Sequence, residues 1–300
     1  MAQAQITPDR LAIMKEKLAC LIVPYHDRVG VAFIDLESSL EANINGHEQF
    51  PAASVAKVPV MVTAFHLADM GKLDLGKKVS LRAIDKQDGS GVLRWLRPGN
   101  TYTIQNLIRM MIVLSDNTAT KMVVDNIGCA RINGFVNTYL GLTETQVVDP
   151  TMLNEPTGEV VNLTSPCDMA QLVTMIEKKT NWHPDSCRQM LAYMKNQRYR
   201  WGLWRGVPPG IQIADKTGNL DNVYNDAGII YSPTGRYALA IFTYKVKHRE
   251  VKQLFINIGT TVYEAYTGQK VVQPKPKVKV KKKVKHKKKR LRSRLGSRYR

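Results

Sequence analysis

Strand-like segments near both ends of the chain, a mostly helical stretch between them, and helical patterns at the two termini predict an α/β (α+β) fold. In that fold an antiparallel sheet, flanked by N- and C-terminal helices, packs on an all-helical lobe formed roughly by residues 55–205. On this reading residues 1–270 form the globular part, and residues 271–300 form a Lys/Arg-rich tail expected to be disordered.

The elements follow in order. Thr7 ahead of Pro8 marks the start of a first helix. Val29 to Glu37, with the segment up to Phe50, reads as a pair of strands. Pro51-Ala52-Ala53 leads into SVAKVPVMVTAFHLADMGK, an apolar helix that Gly71 ends. Thr103 can cap IQNLIRMMIVL, a further helix follows Ser115-Asp116-Asn117, and Thr164 or Ser165 can cap the one opened by Pro166. Strand chemistry returns near Ile211 with IQIADKTG, a turn over residues 219–222, AGIIYSPTG and RYALAIFTYK. VKQLFINIGTTVYEAYTG reads as the closing helix.

Composition narrows the function classes. No apolar run is long enough to span a membrane, so no transmembrane segment is expected. The N-terminus lacks an apolar stretch behind a basic start, so no secretory signal is expected and the compartment stays open. Cys20, Cys129, Cys167 and Cys187 are far apart and read as lone buried thiols. The six histidines form no HxxxH or HxH pair, so no metal is expected. Of the net charge of +19, 15 units come from Lys and Arg in the acid-free residues 271–300, leaving about +4 for the rest. Such a tail is a solubilising extension or attaches non-specifically to a polyanion through counterion release.

Three triplets carry the candidate chemistry. Ser54 and Lys57, three apart on a helix, share a face, so the amine can take the proton that makes the hydroxyl a nucleophile. Pro59 puts Ser54 near a helix start, where free N–H groups can face a developing oxyanion. Ser115-Asp116-Asn117 offers a second hydroxyl to relay a proton and an amide to hold a substrate amide; helix capping is the competing reading. Lys216-Thr217-Gly218 at a strand end offers a cation and a hydroxyl for a carboxylate, and Gly218 leaves the strand edge open. The N–H of Asn219 would be a second oxyanion donor. GKLDLGKK (Gly71 to Lys78) only approximates a phosphate loop and reads as a helix-ending turn.

The combination Ser-x-x-Lys, Ser-Asp-Asn and Lys-Thr-Gly, in this order, resembles class A β-lactamases and the wider family of penicillin-recognising serine hydrolases. Gly89 to Thr120, GKLDLGKKVSL, DPTMLNE, LTSPCDMAQL and PPGIQIADKTG carry the resemblance further, over roughly residues 5–268. It implies a β-lactamase/transpeptidase-like fold without metal or cofactor, and a monomer. Its substrate would be a β-lactam or a D-alanyl-D-alanine-like peptide. Ser54 would be acylated, Lys57 and Ser115 would move protons, Asn117 would hold the substrate amide, and Lys216 and Thr217 would face the carboxylate.

Two departures bear on turnover. Asp149 stands where the family carries the glutamate of Glu-Pro-x-x-x-Asn, with one extra residue before Asn154. The water-activating acid is then Asp149, Glu155 or none. Tyr224 stands where many lactamases carry a carboxylate-gripping arginine. The leading expectation is a β-lactam hydrolase acting through a Ser54 acyl-enzyme. A D,D-peptidase or penicillin-binding protein with slow deacylation, and a non-catalytic peptidoglycan- or polyanion-binding protein, are the alternatives.

Overall fold

A computed structural model describes residues 6–150 and 162–272. Helix α1 (Pro8–Ile22) starts at the Thr7 cap, whose side chain accepts from the Arg10 N–H, a contact that stabilises a helix by about 1 kcal/mol. Strands β1 (Val29–Asp35) and β2 (Glu41–Ile44) pair antiparallel, and a short β3 (Phe50–Pro51) follows. A 3₁₀ turn, Ala53–Ala56, leads into α2 (Lys57–Asp69). Beyond Gly71, at φ +68°, come β4 (Lys78–Ser80), β5 (Thr101–Thr103) and α3 (Ile104–Val113), the last capped by Thr103. Helices α4 (Asn117–Ile127) and α5 (Cys129–Asn133) precede β6 (Leu163–Thr164), α6 (Pro166–Lys178) and α7 (Pro184–Lys195). Ser165 takes the cap of α6. The chain closes with β7 (Gln212–Leu220), β8 (Val223–Ser232), β9 (Gly235–Thr243) and α8 (His248–Thr267).

The main sheet runs β2-β1-β9-β8-β7, and each strand pairs antiparallel with its neighbour. Alternation along β9 shows how it is covered. Tyr237, Leu239 and Ile241 point to the face shared with α1 and α8, where they meet Phe33, Phe255 and Tyr266. Ala238, Ala240 and Phe242 point to the other face, and the small side chains there let α6 lie close against the strands. Val55, Met61, Phe65, Leu107 and Met111 continue that second core through the helical block.

Three local expectations need correction. The helical block is not all-helical, because β4 and β5 form a two-stranded ribbon within it. Asn219 and Leu220 stay in β7, and the hairpin turns only at Asp221 and Asn222, with Asn222 at φ +58°. Cys20 is exposed, since the buried stripe of α1 is Met14, Leu18 and Ile22. Among the described residues no helix is long and apolar enough to cross a membrane. Residues 273–300 of the tail lie outside the described residues.

Candidate active site

The three triplets converge where the turn before α2, the loop before α4 and the end of β7 meet. Ser54 lies in the 3₁₀ turn, and Lys57, fully buried, is the first residue of α2. Lys57 Nζ lies 2.9 Å from Ser54 Oγ, 2.8 Å from Ser115 O, 3.0 Å from Ser115 Oγ and 2.7 Å from Asn117 Oδ1. Burial, then the nearby Lys216 ammonium, hold the Lys57 amine well below the ordinary lysine range; Asp116 opposes them in part.

A neutral amine has two hydrogens and one lone pair. Ser115 O can only accept. Asn117 presents Oδ1 as well, because its Nδ2 donates to Asp88 O at 2.8 Å. Both hydrogens are thereby committed, and the lone pair is left for a hydroxyl. Ser54 and Ser115 are the two hydroxyls in reach. That arrangement can remove a proton from Ser54 and return one through Ser115.

Ser115 takes φ +52°, a left-handed conformation costly for a side-chain-bearing residue. It turns both its carbonyl and its hydroxyl to Lys57. Asp116 between the two site residues caps α4, accepting from the Ala119 N–H at 2.9 Å and, through its second oxygen, from Val92 and Leu93. Capping and chemistry are thus divided among neighbouring residues of one tripeptide.

From β7, Lys216 Nζ reaches Ser115 Oγ at 3.1 Å and Thr217 O at 2.6 Å. Burial pushes the Lys216 amine down to about 8, against the opposing influence of Asp215 beside it on β7. Thr217 Oγ1 donates to Gln197 Oε1 at 3.3 Å. A Cβ on Gly218 would stand 2.9 Å from the Ser54 nitrogen and 3.1 Å from Ala52 O, so only glycine lets β7 lie this close to the nucleophile's turn. Asn225 on β8 ties the same turn down, its Nδ2 donating to Pro51 O at 2.7 Å. Asn219 is exposed and lines a cavity of about 480 Å³ with Ser90, Trp201, Arg205, Tyr224 and His248. Tyr224, in the arginine's place, meets His248 Nδ1 at 3.1 Å through its hydroxyl.

Asp149 is held by Asn162. Asn162 Oδ1 accepts from the Val148 and Asp149 N–H groups at 2.8 and 3.1 Å, and its Nδ2 donates to Asp149 O at 3.0 Å. The Asp149 carboxylate contributes, after burial, to raising the Cys129 thiol above its usual range. Asn154 and Glu155 lie outside the described residues.

The beta-lactamase enzyme family model matches residues 13–266. The chain belongs to the beta-lactamase enzyme family. Within it, the extended-spectrum beta-lactamase PER-1 of Pseudomonas aeruginosa is 29% identical over 77% of this chain and 79% of its own length. Beta-lactamase CTX-M-8 of Citrobacter amalonaticus is 26% identical over 77% of this chain and 80% of its own. Among solved structures, a mutant of PBP-A, in an acyl-enzyme complex with penicillin-G, superposes with a TM-score of 0.78 at 30% identity, covering 85% of this chain and 96% of that one. A beta-lactamase from Sphaerobacter thermophilus gives 0.77 at 30% identity, covering 83% and 97%.

Sequence reasoning misses Gln197, Asn225 and Asn162. In the sequence Asn162 stands out only as the first letter of a glycosylation sequon. None carries a local signal, since each bonds a segment remote from its own element.

Proposed function

We propose that the chain hydrolyses β-lactams through an acyl-enzyme on Ser54. The observation that carries this reading is the buried Lys57 amine, held well below the ordinary lysine range and within 2.7–3.0 Å of Ser54, Ser115 and Asn117. In acylation, Lys57 takes the Ser54 proton as Oγ attacks the lactam carbonyl. The N–H groups of Ser54 and Asn219 receive the oxyanion. Ser115 gives its proton to the departing ring nitrogen and is resupplied by Lys57. Lys216 and Thr217 face the substrate carboxylate, and the second lone pair of Asn117 Oδ1 receives the side-chain amide N–H. Asp149 then activates the water that releases the product.

A second reading, a D,D-peptidase or penicillin-binding protein that deacylates slowly, is favoured by the shorter acid at 149 and by the 30% identity to PBP-A. Incubation with nitrocefin separates the readings: continuous turnover supports hydrolysis, and one stoichiometric burst supports slow release. No adduct on Ser54 by mass spectrometry would leave only a binding role. Ser54→Ala should abolish adduct and turnover together. For the tail, attachment to a polyanion is the reading its 15 cations support. Removing residues 271–300 should abolish heparin retention and leave nitrocefin turnover unchanged.

A further inference from the structure

Two carboxyl groups behind Lys216, Asp215 on β7 and Asp226 on β8, are fully buried on neighbouring strands, and each bears on the other's ionisation. The register pairs Thr217 with Asp226 and Asp215 with Gly228, so the acids sit diagonally on the sheet face shared with Ile213 and Ile230, opposite Lys216. A Cβ on Gly202 would collide with Asp226 Oδ2, so this glycine is what admits the carboxyl.

The surrounding donors decide where the proton sits. Asp215 Oδ1 accepts from Trp204 Nε1 at 3.0 Å, and an indole N–H can only donate. Its Oδ2 accepts from Gln197 Nε2 at 2.9 Å. The orientation of that amide is fixed, because Gln197 Oε1 accepts from the Tyr199 N–H at 2.7 Å. Among the described residues Asp226 Oδ2 accepts from the Leu203 N–H, at 2.8 Å, and its Oδ1 has no hydrogen-bond partner. Two ionised carboxylates set diagonally on one dry sheet face repel, so the pair retains one proton. The charge settles on Asp215, with its two donors, and the proton on Asp226. Burial and the Asp215 charge accordingly hold the Asp226 carboxyl well above the usual range.

We propose that Asp226 is held protonated so that one negative charge stays on Asp215, and that this charge, acting through β7, keeps Lys216 cationic for the substrate carboxylate. Both acids are positioning residues, and the proposal rests on the reading of Lys216 as the carboxylate's partner. The other groups bearing on the pair and on the two site amines are Lys57 from α2, held well below the ordinary lysine range, Asp116 at the start of α4, and Arg200, whose charge favours ionised Asp215. Near neutral pH Lys216 and the two acids behind it then carry one cation, Lys216, and one anion, Asp215.

The test is the pH dependence of kcat and KM for benzylpenicillin in the full chain and two variants. Asp226→Asn supplies an amide N–H where the carboxyl proton was, so its profile should match the parent. Asp215→Asn removes the charge, and the alkaline rise in KM should move to lower pH by on the order of one unit, with kcat on its plateau less affected. Equal displacement by both variants, or by neither, overturns the proposal. A second measurement needs no turnover. In chain labelled with ¹³C at aspartate carboxyls, the Asp226 signal, identified by its loss in Asp226→Asn, should remain in its protonated position from about pH 5 to 8. Its titration as an ordinary carboxyl overturns the proposal even where benzylpenicillin is turned over normally. A protonated Asp226 in a chain that turns over no β-lactam supports the pair and counts against the proposed hydrolysis alone.

Discussion

Two regions that the proposed reaction uses are built differently. At the amine end, Ser54, Lys57, Ser115 and Lys216 hang from a helix start, a capped loop and the edge strand of the main sheet, joined by contacts of 2.9–3.1 Å. At the Asp149 end the backbone is irregular, and Asn162 holds both the N–H and the carbonyl of Asp149. Regular structure fixes a side chain through many neighbours at once, whereas a loop fixes it through one or two contacts. On the proposed acyl-enzyme route, acylation is expected to tolerate variation in the Asp149 segment, and release to depend on how Asn162 tethers it.

Lys57→Met should break the comparison most severely. The acceptors Ser115 O and Asn117 Oδ1 lose their partner, at a cost of about 1–3 kcal/mol each in stability. Formation of the Ser54 adduct with benzylpenicillin, followed by mass spectrometry, should slow by about 10²–10⁴-fold. Adduct formation at the parental rate would mean that the base comes from the Asp149 end. Asp149→Asn tests that end directly. Adduct formation should be unchanged while steady-state turnover falls by roughly 10²-fold or more, leaving a stoichiometric burst. If Asp149→Asn leaves turnover as it was, Asp149 is not the water-activating acid.

How much of this was legible in the sequence follows the same division. The caps at Thr7, Thr103 and Ser165 and the helix stop at Gly71 were readable, because each depends on residues within one turn. Ser54 and Lys57 were readable as a pair for the same reason. The meeting of the three triplets was readable only through the family resemblance, since periodicity says nothing about contacts 58 or 101 residues apart. Gln197 and Asn225 were invisible: an amide that bonds a strand 18 residues away, or a turn 174 residues away, looks like any polar residue in its own segment. The hairpin turn reads two residues early in the sequence because Asn219, a turn-favouring residue, extends β7 opposite Tyr224 instead.

The smallest expected effect concerns the neck of the Asp149 loop. Thr145 and Thr164 stand on its two sides with hydroxyls 2.8 Å apart, and Thr145 Oγ1 donates to Asp168 Oδ2 at 2.7 Å. Asp168 is buried in the first turn of α6 and hydrogen-bonds to Glu144, which lies 3.5 Å from His47. Burial, then that contact with Glu144, push the Asp168 carboxyl up to about 8, while Glu144, hydrogen-bonded by Asp168, is held below its usual range. In the unfolded chain Asp168 would release its proton near pH 4. Between about pH 4 and 8 the folded state alone retains that proton, so stability is lost as pH rises through this window and levels off above it. Asp168→Asn removes the titration yet keeps an acceptor for Thr145 and a donor for Glu144. Its melting temperature should exceed the parent's by an amount that grows across the window and is constant beyond it. A variant that melts lower at pH 8 would show that the carboxylate is ionised there and stabilised by the α6 N-terminus. In that case the neck would be tied by charge, and the two regions would resemble each other more than their backbones suggest.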